Sequence, residues 1–158
     1  MNTTPNEVDH YLYDTVKLLL DDDVKRTPEA IFGYTHNPLY KFPNWDVVRS
    51  YKEFTEYIVT HEMPKLISFD HDLADVHYET FLTPNGEAAQ QAAWTEYHER
   101  EGEREMTGYD CLKWLANYCH DNAIIFPHIL VHTMNTVGYN NMVFYYRSAL
   151  RNNFIRIN

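Results

Sequence analysis

The stretch "KLISFDHDL", residues 65–73, decides how this chain is read. Leu66, Ile67 and Phe69 make a short apolar run that stops at Asp70, His71 and Asp72. A run this short, bounded by polar residues, reads as a buried strand rather than a helix. Two other runs have the same form. "TVKLLL", 15–20, stops at Asp21, Asp22 and Asp23, and "HILVHT", 128–133, closes on His132 and Thr133. Each puts ionisable or polar groups where a strand ends.

Between and around these runs the punctuation predicts helices. "WDVVRSY", 45–51, holds a short second strand, and Ser50 with Glu53 forms a capping box for a helix that Pro64 stops. Phe54, Ile58 and Tyr51 share one face of it. Thr107 with Asp110 forms a second capping box, before a helix with Cys111, Leu115, Tyr118 and Cys119 at helical spacing. "VGYNNMVFYYRSALRN" is a last helix, and "FIRI", 154–157, reads as a final edge strand. Residues 1–11 read as a loose leader. Residues 24–44 carry Pro28, Gly33, Pro38 and Pro43, and read as loop apart from one helical turn begun by Thr27 and Pro28. Residues 74–105 are rich in Ala, Glu and Gln and read as an inserted exposed helix, with Trp94, Tyr97 and His98 packing it down or lidding a site.

Strands alternating with helices predict an α/β fold with a parallel sheet of about five strands, a single domain over 1–158, with the helical insert after strand three. In the flavodoxin-like order 2-1-3-4-5, strands one, three and four are neighbours. Ligands of such sheets bind beyond the carboxyl ends of the strands, at the switch in strand order. The three polar clusters then meet on one rim.

The bulk composition narrows the partner. The 158 residues suffice for one domain with a real core, and 44% are hydrophobic. A net charge of −10 argues against a protein that wraps duplex nucleic acid. A phosphate ligand needs local cations or helix N-termini. No apolar run reaches membrane-spanning length and no signal peptide opens the chain, so a soluble, cytoplasmic protein with no membrane partner is expected. Cys111 and Cys119, eight residues apart on one helix, sit roughly 12 Å from each other, too far for a disulfide.

The clusters suggest chemistry. Adjacent carboxylates such as Asp21, Asp22 and Asp23 suit a hard cation such as Mg²⁺ or Mn²⁺, and one aspartate of the Asp70–Asp72 triplet could bind the same metal. The bland alternative is a solvated turn. If the chain stays extended, Asp70 and Asp72 share a face and His71 points away from it. His71 and His132 have intrinsic pKa values suited to proton transfer, and Asp72 is placed to orient one of them. Asn135 or Thr136 caps the last helix, whose N-terminus, with Asn135 and Thr133, suits a phosphate. Arg26 either holds a phosphate oxygen or pairs with an aspartate.

Together, "LLLDDDVKR", "ISFDHDL", "TGYDCLKWL" and "VHTMNTVGYNNM" resemble the cyclic-phosphate processing receiver-like family, found in bacteriophage and bacterial genomes. That family is a variant of the response-regulator receiver domain. The resemblance implies a flavodoxin-like fold and a site of Asp22, Asp23, Asp70, His71, Asp72, His132 and Asn135, with Asp22, Asp23 and Asp70 as ligands of Mg²⁺ or Mn²⁺ and with Arg26 and Asp110 in matching motifs. It implies a metal-dependent phosphoesterase acting on cyclic phosphates of nucleotides or RNA ends, in the host cytoplasm if phage-encoded. The alternative is a non-catalytic receiver-derived module that binds a nucleotide signal or a host protein. A weaker third reading is an acyl-phosphate receiver with Asp70 as acceptor.

Overall fold

The computed structural model describes residues 11–73 and 106–158. The expected helical insert at 74–105 and nearly all of the expected leader lie outside the described residues; residues 11–13 are helical, and Leu12 is buried. Four strands form one parallel sheet: β1 (Lys17–Leu20), β2 (Trp45–Val48), β3 (Leu66–Phe69) and β4 (His128–Val131), in the order β2-β1-β3-β4. The helices are α1 (Pro28–Thr35), α2 (Tyr51–Thr60), α3 (Gly108–Asp121) and α4 (Thr136–Arg151), with a 3₁₀ turn at Pro38–Lys41. The α/β parallel architecture and the neighbouring of strands one, three and four are as expected.

Strand alternation builds two cores. Leu18, Leu20, Ile67 and Phe69 face one side and pack with Phe54 and Ile58 of α2, with Leu112, Leu115 and Cys119 of α3, and with Met142 of α4. Leu19 faces the other side, with Ile31 of α1 and Tyr40 of the 3₁₀ turn. A sheet covered on both faces has no need of polar alternation, which is why these strands read as continuous apolar runs. Fully burying each such side chain contributes about 1.5–3 kcal/mol before entropy is counted. Cys111 and Cys119 are both free thiols, as their spacing requires.

Lys17 is fully buried at the start of β1. Its ammonium donates to the carbonyls of Tyr13 (2.9 Å), Thr15 (2.7 Å) and Pro43 (2.8 Å), which closes the end of the sheet opposite the acidic clusters. Three acceptors around one buried charge are what such burial requires.

Two expectations are corrected. The Pro-containing stretch after the first acidic cluster is not a loop: it holds the two-turn helix α1 and the 3₁₀ turn. Pro28 and Pro38 sit in first helical positions, where no N–H is needed, and the side chains of Thr27 and Asn37 cap the two elements. "FIRI" is not a fifth strand among the described residues. Asn153 turns the chain at φ 58°, and the N–H groups of Phe154 and Ile155 both donate to the carbonyl of Ala149. That fold-back buries Ile155 in the core; the Phe126 N–H donates to the Arg156 carbonyl ahead of β4, and His120 Nδ1 lies 3.0 Å from the Phe154 carbonyl oxygen. No described helix is long and apolar enough to cross a membrane.

Candidate functional site

The register of the sheet creates the site. Leu19, Ser68 and Leu130 are laterally paired across β1, β3 and β4. Two residues further along each chain stand Asp21, Asp70 and His132, so the period of two turns all three toward the α1 side of the rim. The ladder continues one step past the strands to hold them. The Asp70 N–H donates to the Leu20 carbonyl (2.9 Å), the His132 N–H to the Phe69 carbonyl (3.0 Å), and the Asp21 N–H to the Val48 carbonyl (3.2 Å).

All three residues are buried, and one potential ligand atom from each lies within 4.8 Å of the others. The donor set is two carboxylates and an imidazole. His132 Nε2 lies 2.9 Å from Asp21 Oδ2, and Asp21 Oδ1 accepts the N–H of Asp23 at 2.9 Å. Asp70 Oδ1 accepts the N–H of His71 at 2.8 Å. Burial, and then the charge of Asp21, push the Asp70 carboxyl above its ordinary range, while His132, then the His71 N–H and the Thr133 hydroxyl, pull the other way. Beside these two buried carboxylates, the partly exposed Arg26 guanidinium lies 3.8 Å from Asp21 Oδ2, while that of Arg49 is taken up by backbone carbonyls of the adjoining loop. This donor set could hold a divalent cation, with Asp21 and Asp70 offering oxygen ligands.

His132 is the middle of a longer chain. Its Nδ1 lies 2.7 Å from Ser68 Oγ, which lies 2.7 Å from the Tyr40 hydroxyl. Burial pushes the Tyr40 phenol up to about 12, so it carries its proton at any ordinary pH. The Tyr34 hydroxyl donates to the His132 carbonyl at 2.9 Å.

The loop after β1 is fixed by Arg49. Its Nη1 donates to the carbonyls of Asp21 (3.0 Å), Asp23 and Arg26 (3.2 Å). One guanidinium nitrogen thus pins the turn that aims Asp21 inward. Nothing in the sequence marks Arg49, because its partners are backbone atoms more than twenty residues away.

Of the predicted metal ligands, only Asp70 joins the buried cluster; the residue that joins it from the acidic run is Asp21. Asp22 is half-buried. Asp23 turns outward, its side chain 45% exposed, and accepts the N–H of Lys25 at 2.9 Å. Strand alternation is the signal that singles out Asp21: it shares a face with Leu19, as Asp70 does with Ser68 and His132 with Leu130.

The chain does not stay extended past Phe69, so Asp70 and Asp72 do not line up along a strand face. His71 Nδ1 pairs with Asp72 Oδ1 at 2.8 Å, and Asp72 is exposed. The His71 ring lies over Gly138 in the first turn of α4, so close that a Cβ there would stand 2.4 Å from it. Gly138 therefore admits the ring to the helix N-terminus. Asn135 caps α4, accepting the Gly138 N–H at 3.0 Å. Thr133 Oγ1 accepts the Asn135 N–H at 3.1 Å, and its hydroxyl serves Asp70. Arg26 lies 3.8 Å from Asp21 Oδ2 and about as far from Asp23, with its guanidinium over the Tyr34 ring. Asp110 completes the capping box of α3 with Thr107.

α3 supports the site from beneath. Gly108, its first residue, donates its N–H to the His71 carbonyl at 2.7 Å. A Cβ on Gly108 would stand 1.6 Å from the Asp70 carbonyl oxygen. The glycine is there because the helix start abuts the backbone that carries Asp70 and His71.

The model of the cyclic-phosphate processing receiver domain family matches residues 16–148, and the chain belongs to that family. The match takes in every residue of the rim. No curated protein and no solved structure matches the chain.

Proposed function

We propose that this receiver-domain member is a metal-assisted phosphoesterase that opens a cyclic phosphate on a nucleotide or RNA end. The observation that carries the reading is the burial of Asp21, Asp70 and His132 together at three adjacent strand ends. Asp21 and Asp70 would hold Mg²⁺ or Mn²⁺, which when bound supplies charge neutralisation at the phosphoryl group and a more acidic water.

The chain's own residues have separable tasks. Opening the ring adds a water oxygen to phosphorus and breaks one ring P–O bond, so the departing oxygen needs a proton. His71 is the partly exposed histidine of the rim, and Asp72 fixes its ring through Nδ1. That leaves Nε2 as the nitrogen that would pass a proton to the departing oxygen. Arg26 sets a positive charge beside the carboxylates and would draw in the phosphate oxygens. The first turn of α4, against which His71 packs, adds its partial positive charge.

Purified protein with Mg²⁺ or Mn²⁺ is expected to convert some 2′,3′- or 3′,5′-cyclic nucleotide to a monoester. Chelator should stop the reaction and Asp70→Asn should lose it. No turnover across a broad panel with either metal counts against the reading. Tight binding without product would favour a non-catalytic nucleotide-binding module instead.

A further inference from the structure

Beside α1, on the face of the sheet that carries Leu19, lies a groove of about 770 Å³, within the range of small-molecule sites. One wall is α1, with Glu29 and Phe32 on it. The other is the 3₁₀ turn and the start of β2, with Tyr40, Lys41 and Trp45. The Tyr40 and Trp45 rings stack with centres 5.5 Å apart and planes at 20°. The Trp45 indole N–H donates to the Leu39 carbonyl at 3.2 Å, which fixes the flat wall they make. Phe32 is half-buried, and the Lys41 ammonium rests 4.3 Å from the centre of its ring. Aromatic walls suit a flat heterocycle, because every nucleobase has a face that stacks. The ammonium of Lys41 and the carboxylate of Glu29 suit the acceptors and amino donors on a base's edge.

The groove adjoins the rim. Tyr40 belongs to both: its ring lines the groove, and the ring's centre lies 6.4 Å from that of His132 in the buried cluster. The lining also includes Thr27, next in the chain to Arg26, whose guanidinium stands 3.8 Å from Asp21 Oδ2. We infer that the groove receives the base of a free cyclic nucleotide whose phosphate lies at the rim. Charge favours the mononucleotide over an RNA end. Each further phosphodiester brings another negative charge to a protein of net charge −10. Lys41 is the one cation lining the groove among the described residues. The substrate class rests on the phosphoesterase proposed above; the capacity of the groove to hold a base does not.

NMR of the intact chain in chelator tests it, with the tryptophan indole N–H signals as reporters. Adenosine 2′,3′-cyclic monophosphate should shift the Trp45 signal and leave that of Trp114, packed on the other core, in place. Glycerol 1,2-cyclic phosphate, which has no base, should leave Trp45 in place too. Phe32→Leu keeps an apolar side chain but removes the ring. It should weaken nucleotide binding on the order of tenfold, with Mn²⁺ affinity unchanged. An RNA hexamer ending in the same cyclic phosphate should bind no more tightly than the mononucleotide. A Trp45 signal that ignores the nucleotide, as in a groove that takes a protein side chain instead, overturns the inference. So does Phe32→Leu binding equal to wild type, or a hexamer bound more than about tenfold tighter. The wild-type spectra decide even if the variant folds poorly. Nucleotide binding at Trp45 with no turnover in Mg²⁺ or Mn²⁺ supports the groove and refutes the phosphoesterase. Turnover with Trp45 unmoved supports the phosphoesterase and overturns the groove.

Discussion

Replacing Gly108 by alanine should damage the site without touching any of its side chains. The new Cβ would stand 1.6 Å from the Asp70 carbonyl oxygen, 2.7 Å from its carbon and 3.2 Å from the His71 Cα. Ordinary contact begins near 3.4 Å, so helix and loop must part by roughly 2 Å in a close-packed setting. The neighbour is backbone and cannot swing aside. Alanine improves helix propensity by at most about 1 kcal/mol. Against that stand an overpacking cost of about 1–3 kcal/mol and the strained 2.7 Å bond from Gly108 to His71. The net loss should be about 2–3 kcal/mol, which lowers a urea midpoint by about 1–2 M. Because the displaced backbone carries Asp70, Mn²⁺ affinity should fall as well. A variant as stable as wild type, with unchanged Mn²⁺ affinity, would refute the account of how α3 braces the rim.

Four further outcomes are expected. Asp70→Asn should stabilise the metal-free protein at neutral pH, because burial and Asp21 raise the folded pKa of Asp70 above its ordinary 3.8. Raised, the wild-type group contributes stability that is complete below its unfolded value and lost as pH rises through its folded value. The advantage of the variant, read from denaturant curves in chelator, should therefore vanish as pH falls toward 4. His71→Gln should lower the rate of ring opening about 10²–10⁴-fold with Mn²⁺ affinity unchanged. Gly138→Ala should lower that rate too, because its Cβ would stand 2.4 Å from His71 Cγ and must displace the whole ring. Phe54→Ala removes a fully buried ring packed 5.6 Å from Phe69 and should cost about 3–5 kcal/mol in urea unfolding.

Strand ends and helix caps were legible because their signals are local. Short apolar runs stop at charged residues, and Ser50, Thr107 and Asn135 cap from within a few residues. The convergence of three clusters followed from the parallel topology alone. The prolines misled in part: Pro28 marked the start of a helical turn, but the turn runs on as a full helix, and Pro38, read as loop, also occupies a first helical position, where proline costs nothing. "FIRI" has strand composition, yet the left-handed turn at Asn153 folds it against α4. Which carboxylate of the acidic run faces inward is a matter of alternation, and three identical residues hide it unless strand faces are counted. Arg49, Ser68 and Tyr40 were out of reach for a different reason. Their roles lie in bonds across 23 to 64 positions of sequence, and nothing near them in the chain announces the partner.

The central claim is that Asp21 and Asp70 form a divalent-metal centre at the ends of β1 and β3. Titrating the protein with Mn²⁺ and following the free ion by electron paramagnetic resonance tests this without knowledge of the substrate. The account predicts one tightly held Mn²⁺ per chain in wild type, displaced by excess Mg²⁺ and lost in both Asp21→Asn and Asp70→Asn. Free Mn²⁺ throughout the titration, or equal binding in the wild type and both variants, would contradict it.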